Sequence, residues 1–221
     1  MSTEVTSAET RRYRKRLRAE QEHRTRQAIT EAAVKLHGTV GPARTTVSAV
    51  ADEAGVQRAT VYRHFPDEAS LFQACSSHYA SQHPPPDPSA WTEIRDPGER
   101  LRHALTDLYG WWEETEDMMS LVLRDEPLVE SMSAPVDAGR AYLGSVRETL
   151  LRGRPQRGRR RERVSAAIGH ALAFSTWQSL VREEGLRNPE AVELMAGLVE
   201  TAGGASSREP RTRRAARARA R

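Results

Sequence analysis

Apolar residues recur at three- and four-residue intervals along most of this chain, and no stretch alternates apolar and polar positions as a half-buried strand would. From Arg24 to His37, Ile29, Ala33 and Leu36 share one side of a helix that Gly38 and the Gly41-Pro42 pair close. Val47, Val50, Ala51 and Ala54 mark a second, short helix. Gly55 ends it by taking the left-handed conformation, with Val56 as the apolar contact behind. Val61 and Phe65 mark a third helix and leave Arg58, Thr60, Tyr62, Arg63 and His64 facing outward. Pro66, Asp67 and Glu68 start a fourth, with acids at its positive end, that runs through Leu71, Phe72, Cys75 and Tyr79.

The stretch His83 to Ser89, HPPPDPS, cannot continue a helix and reads as a linker. Beyond it the helical period resumes. Leu101, Leu105, Leu108 and Trp112 follow Pro97, and Met118, Leu121, Val122 and Leu123 form a separate apolar cluster before Pro127. Leu143, Val146 and Leu150 mark a helix from Val136 to the glycine-arginine-proline stretch at Gly153, and Val164 to Val181 predicts one long helix. Asn188 is read as the cap of a last helix with Pro189 at its first position. The predicted fold class is all-α.

Two helices joined by so short a turn form a helix-turn-helix, whose second helix can present side chains to base edges in the major groove. Residues 46 to 65 read T-V-x-x-V-A-x-x-A-G-V-x-x-A-T-V-Y-x-H-F, a pattern that resembles the signature of the TetR family of transcriptional regulators. The resemblance implies a three-helix, homeodomain-like head followed by a helical ligand and dimerisation domain. With the pattern above, it divides the chain into a basic flexible arm at 1–20, a DNA-binding domain at 21–82, a proline-rich linker at 83–90, an effector and dimerisation domain at 91–202 and an arginine-rich tail at 203–221. It implies a cytoplasmic homodimer that binds a pseudo-palindromic operator, most commonly as a repressor that a small molecule releases.

Carried over position by position, the resemblance puts Gln57, Arg58 and Ala59 at the start of the recognition helix, with Thr60, Tyr62, Arg63 and His64 as phosphate or base contacts. Arg58 is the candidate base reader, because a guanidinium can pair with O6 and N7 of guanine. Thr45 or Thr46 can cap the helix before it, whose first amides suit a phosphate, and Arg44 adds a phosphate contact. Gln57 departs from the serine or threonine usual at its position. Glu68 stands in the segment where the family commonly has a lysine, so a phosphate contact is lost there.

Composition narrows the function. The chain has 221 residues, one cysteine and no apolar run near eighteen residues, so no membrane span, internal disulfide or cysteine-based metal cage is expected. Cys75 sits in an apolar helical pattern and reads as core. No metal, cofactor or catalytic residue is indicated: His78 and His83 lack further ligands at suitable spacing, and no Ser-His-Asp, Cys-His, HExxH or phosphate-cradling glycine loop is present. Net charge is +4, unevenly spread: residues 1–26 hold eight basic and four acidic groups, residues 203–221 seven and one, and the body is acidic. Arg11, Arg12, Arg14, Lys15, Arg16 and Arg18 crowd the arm, which reads either as a contact to DNA beside the recognition helix or as a solvated tail. The five arginines of 157–163 read as a solvated loop.

Trp111, Trp112, Met118, Met119, Tyr142, Phe174 and Trp177 are candidates for an apolar pocket taking a planar or hydrophobic effector, with His103, His170 or Gln178 as polar anchors. Core packing explains any one of them equally well. Ile168, Leu172, Leu180, Val192, Met195 and Val199 are candidates for the dimer interface. Two other functions remain open. One is a helical ligand-binding protein or enzyme whose head is weakened at Glu68; the other is an architectural DNA-binding protein without effector, suggested by the basic termini.

Overall fold

The computed structural model describes residues 2–204, so the predicted arginine-rich tail lies, from residue 205 on, outside the described residues. Those residues hold nine α-helices, short 3-10 turns and one π-helical segment, with no strand among them. They fall into two compact units. One takes the chain up to Pro85 together with Glu113–Ala141, and the other takes Pro86–Trp112 and the chain from Tyr142. One change of unit falls between Pro85 and Pro86, and the other changes fall inside helices.

The first unit opens with α1, Ser2–His37. A flexible arm is predicted up to residue 20, but helix runs unbroken from Ser2. Residues 2–26 contain no glycine or proline and are rich in arginine and glutamate, so nothing local stops the helix. A 3-10 turn, Pro42–Arg44, leads to α2, Val47–Glu53, then α3, Arg58–His64, and α4, Glu68–Gln82. Gly55 between α2 and α3 has φ 66°, and the Val56 amide donates to the Ala51 carbonyl at 2.9 Å, which closes α2 as expected of a left-handed glycine. Thr46 Oγ1 accepts from the Ala49 amide (3.1 Å) and Asp67 Oδ1 from the Ser70 amide (2.7 Å), capping α2 and α4.

Ile29, Ala32 and Ala33 of α1, Val50 and Ala51 of α2, Val61 of α3, Phe65, and Leu71 and Cys75 of α4 form one buried cluster. Burial of a side chain such as Ile29 or Phe65 contributes roughly 2 to 3 kcal/mol, so this cluster sets the angle of α3 against α1. His37, 6% exposed, stacks flat on Phe72 with ring centroids 4.8 Å apart, and Cys75 Sγ points at the Thr30 carbonyl at 3.8 Å.

α5 is a single helix, Pro97–Asp125, where two apolar clusters are predicted, and α6 spans Ser133–Leu151. In the second unit Leu101, Leu105, Leu108 and Trp112 of α5 are buried. The unit continues with α7, Gly158–Ala171, α8, Phe174–Gln178, a π-helical segment Ser179–Glu183 and α9, Asn188–Ala202. α7 packs against α9. Arg100, 6% exposed, is held by backbone carbonyls alone, including those of Ile94 (2.9 Å) and Arg152 (2.8 Å).

Three expectations for this unit are corrected. The arginine run at 157–163 is not a loop, because Gly158–Arg163 forms the first turns of α7. Cations are unfavourable at a helix start, but the buried Val164 and Ile168 hold the helix in place. The long helix over 164–181 is broken at Ala173, which is extended (ψ 135°). A straight helix would turn Trp177 about 140° away from Val164, and the break lets both be fully buried. Asn188 is not the cap of α9: Arg187 takes that place, its amide donating to Glu190 Oε2 at 2.9 Å, while Asn188 Oδ1 accepts from Trp177 Nε1 at 2.9 Å.

Candidate nucleic-acid interface

α3 is seated on the core by Val61 and Phe65, which are 1% and 2% exposed. Every residue expected to meet DNA from this helix lies on its outer side or flanks. Gln57, Arg58, Ala59, Tyr62 and Arg63 are exposed, and Thr60 and His64 are half-buried. Gln57 occupies the N-cap of α3 without a capping hydrogen bond from its side chain, so its amide group is not committed to the helix end. Arg44 and Thr46, on the turn before α2, are exposed as well. The Thr46 hydroxyl acts as a cap.

The far end of α3 is fastened by a residue that the sequence reading leaves unassigned. Arg26 of α1 donates from Nη1 to the His64 carbonyl at 2.6 Å, and its guanidinium lies 4.1 Å over the Phe65 ring. A cation at a helix C-terminus meets the negative end of the dipole, and here it also stacks on the core aromatic below. Its only sequence signal is a place one turn before Ile29. Burial and the neighbouring cations Arg63 and Arg26 lower the pKa of His64, and its Nε2 is buried without a partner in the described chain.

Two of the carboxylates that flank α3 have partners within the first unit. Glu53, at the end of α2, is paired with Lys35 at 2.6 Å. Glu68 accepts a long hydrogen bond from Ser131 Oγ at 3.4 Å, so the carboxylate in the place of the family's lysine has a partner within its own unit. The turn before α2 is held from another side: Asp125, at the end of α5, accepts from the Ala43 amide at 2.9 Å, and Arg124 donates to the Val40 carbonyl at 3.2 Å. Some eighty residues of sequence separate these partners, which is why the sequence reading does not find them.

The ten pocket candidates are divided. Met118 and Met119 belong to the first unit and are half-buried there. In the second unit Tyr142, Trp111, Trp112, Phe174 and Trp177 form a chain of neighbouring rings with centroids 4.6 to 6.4 Å apart. Trp112 is 3% exposed, and its Nε1 has no hydrogen-bond partner among the described residues. Gln178 is half-buried, and the His170 ring lies 3.3 Å from Thr176 Oγ1 but is largely exposed. His103 is exposed, nine residues and thus about half a turn from Trp112, so it points away from that ring.

Of the six interface candidates, Ile168, Leu172, Val192, Met195 and Val199 are buried within the single chain, 0 to 4% exposed, and Leu180 is half-buried. The five form the interior of one subunit. The outward apolar residues of α9 are instead Leu194 and Leu198, 44% and 50% exposed. On a helix turning about 100° per residue, their mean direction lies about a third of a turn from that of Val192, Met195 and Val199. Among the described residues no cluster of three metal-ligating side chains occurs, and no helix is long and apolar enough to cross a membrane.

Residues 29–75 match the family model for bacterial regulatory proteins of the TetR family. No curated protein matches the chain. Solved structures share its fold over most of their length. A TetR-like transcriptional regulator from Rhodococcus sp. RHA1 is 16% identical with a TM-score of 0.59, covering 82% of this chain and 97% of that one. NalD of Pseudomonas aeruginosa, the secondary repressor of the MexAB-OprM multidrug efflux pump, is 22% identical with a TM-score of 0.57, covering 83% and 97%. A TetR transcription regulator from Haloarcula marismortui is 17% identical with a TM-score of 0.54, covering 82% and 97%.

Proposed function

We propose that this chain, whose residues 29–75 match the family model for bacterial regulatory proteins of the TetR family, is a DNA-binding transcriptional regulator that acts in the cytoplasm as a homodimeric repressor. It occupies a pseudo-palindromic operator and is released by a small apolar or aromatic effector. The observation that carries the reading is α3, whose Val61 and Phe65 are sealed in the core while Arg58, Tyr62 and Arg63 stand outward. Arg58 reads a guanine edge, Gln57 is suited to adenine, and Arg44, Thr60 and Arg63 contact phosphates.

The two-fold axis that matches the operator's symmetry runs through a contact built on Leu194 and Leu198 of α9. The effector lies along the aromatic chain of Tyr142, Trp111, Trp112, Phe174 and Trp177, with Trp112 Nε1 as hydrogen-bond donor to an acceptor on the ligand. Release requires that the effector bind more tightly to a dimer whose heads are misplaced for successive major grooves. α5 carries Trp112 and ends at Asp125, so it is the element through which that preference acts.

Footprinting on the chain's own upstream region tests the proposal. It predicts a two-fold symmetric protected site bound by a dimer. A one-sided footprint from a monomer contradicts the dimer, and protection spread evenly along the fragment favours an architectural role.

A further inference from the structure

We infer that the N-terminal part of α1 is a second DNA contact, in which Arg11, Arg14, Lys15 and Arg18 grip the phosphates that flank the site read by α3. The inference rests on the DNA-binding reading above and extends its footprint beyond the helix-turn-helix.

The placement follows from helix geometry. α1 is continuous from Ser2 to His37, so positions along it keep a fixed angular relation. Residues 11, 14, 15 and 18 have the i, i+3, i+4, i+7 spacing of a single helix face. Taking about 100° per residue, all four lie within about 60° of the direction in which Ile29 points. Ile29, Ala32 and Ala33 face α2 and α4 inside the head. The basic stripe is thus the same face of α1 carried beyond the head.

Arg26 fixes how far beyond. It marks the point where the C-terminal end of α3 meets α1. From there the stripe begins about 12 Å along the helix at Arg18 and ends about 22 Å along it at Arg11. Duplex DNA presents a phosphate charge every 1.7 Å or so of its axis, so a major groove occupied by α3 leaves flanking phosphates within that range.

The stripe's charge is uncommitted. Residues 11–19 are exposed, and none of the four cations has an ion pair among the described residues. Arg16, off the stripe by more than a quarter turn, is the one that pairs, with Glu20 at 2.9 Å. Glu22 lies on the stripe's face between Arg18 and Arg26, and it limits the contact to the outer two turns.

The test compares the full-length chain with the quadruple variant Arg11→Gln, Arg14→Gln, Lys15→Gln, Arg18→Gln. Each is titrated on a duplex trimmed to the protected site and on the same duplex extended by one helical turn at each end. Arbitrary sequence of the same lengths is used if no site is protected. The wild type should bind the extended duplex with a log-log salt slope steeper by about 3 to 4 per subunit than the trimmed one. In the variant that difference should vanish while affinity for the trimmed duplex and far-ultraviolet circular dichroism stay unchanged. Equal salt slopes for wild type on the two duplexes overturn the inference, as does a variant that matches wild type on both. Unchanged DNA binding with lost binding to anionic vesicles overturns it in favour of a membrane surface. Loss of sequence preference in Arg58→Ala, read separately, reports on α3 and not on the stripe.

Discussion

The Asp125 carboxylate accepts a hydrogen bond from the Ala43 amide at 2.9 Å, fastening the last turn of α5 to the short turn that leads into the helix-turn-helix. Asp125 is 2% exposed, and the Arg124 guanidinium, donating to both it and the Val40 carbonyl, holds its carboxyl below the usual range. Asp125→Ala leaves the Ala43 amide without its acceptor and should lower stability by about 1 to 3 kcal/mol. Thermal unfolding of variant and wild type, side by side, checks this. An unchanged Tm means that the contact holds nothing in place.

Gly41, in the same turn, has φ 91°, and a Cβ there would run into the side chains of Arg124 and Asp125. Gly41→Ala should therefore destabilise the head, because both the backbone conformation and the space are closed to a side chain. Gly55→Ala serves as comparison: its φ is 66° with nothing near the added carbon. Denaturant titration should rank the Gly41 change as the more costly of the two.

His37 supplies a pH dependence. Burial against Phe72 lowers its pKa from 6.5 to about 4, so the folded head holds a neutral ring that the unfolded chain protonates more readily. Stability is complete above pH 6.5, falls as pH drops from 6.5 towards 4, and levels off below, with a total loss of about 3 kcal/mol. His37→Phe keeps a ring on Phe72 and should flatten this part of the profile. Equilibrium unfolding between pH 4 and 7 compares the two.

Cys75 should be inert in the native chain. It is 3% exposed, and burial pushes its thiol up to about 12, so neither access nor thiolate is present at neutral pH. A colorimetric thiol reagent should react only as fast as the head unfolds. Rapid stoichiometric reaction without denaturant contradicts this.

The two sides of α9 should respond differently to charge. Leu194→Glu with Leu198→Glu should yield a folded monomer by analytical ultracentrifugation, since both residues stand outward. Val192→Glu should unfold the subunit itself, because that side chain is buried inside it and an unpaired buried carboxylate costs several kcal/mol.

What the sequence makes legible here is local. The helices of the head, the left-handed Gly55, the threonine cap on α2, the start of α4 near Asp67, and the outward set on α3 all follow from short-range spacing and backbone chemistry. Contacts that depend on distant partners do not. Arg26 over Phe65 and Asp125 on Ala43 leave no periodic trace, and amphipathic spacing on α9 gives an apolar stripe without saying that α7 of the same chain covers it. Helix extent fails in both directions for one reason. α1 and α7 continue through charged residues because packing and propensity outweigh local cues, while the predicted helix over 164–181 breaks so that Trp177 can be buried.

The most direct test of the central claim is competition binding of wild type and Arg58→Ala to the chain's upstream fragment, with excess unrelated DNA at physiological salt. If α3 reads bases, wild type retains the fragment and Arg58→Ala loses about 5- to 150-fold in affinity for it, with its binding to unrelated DNA nearly unchanged. Equal retention by both proteins, or no preference in the wild type, contradicts the claim that α3 is the reading element.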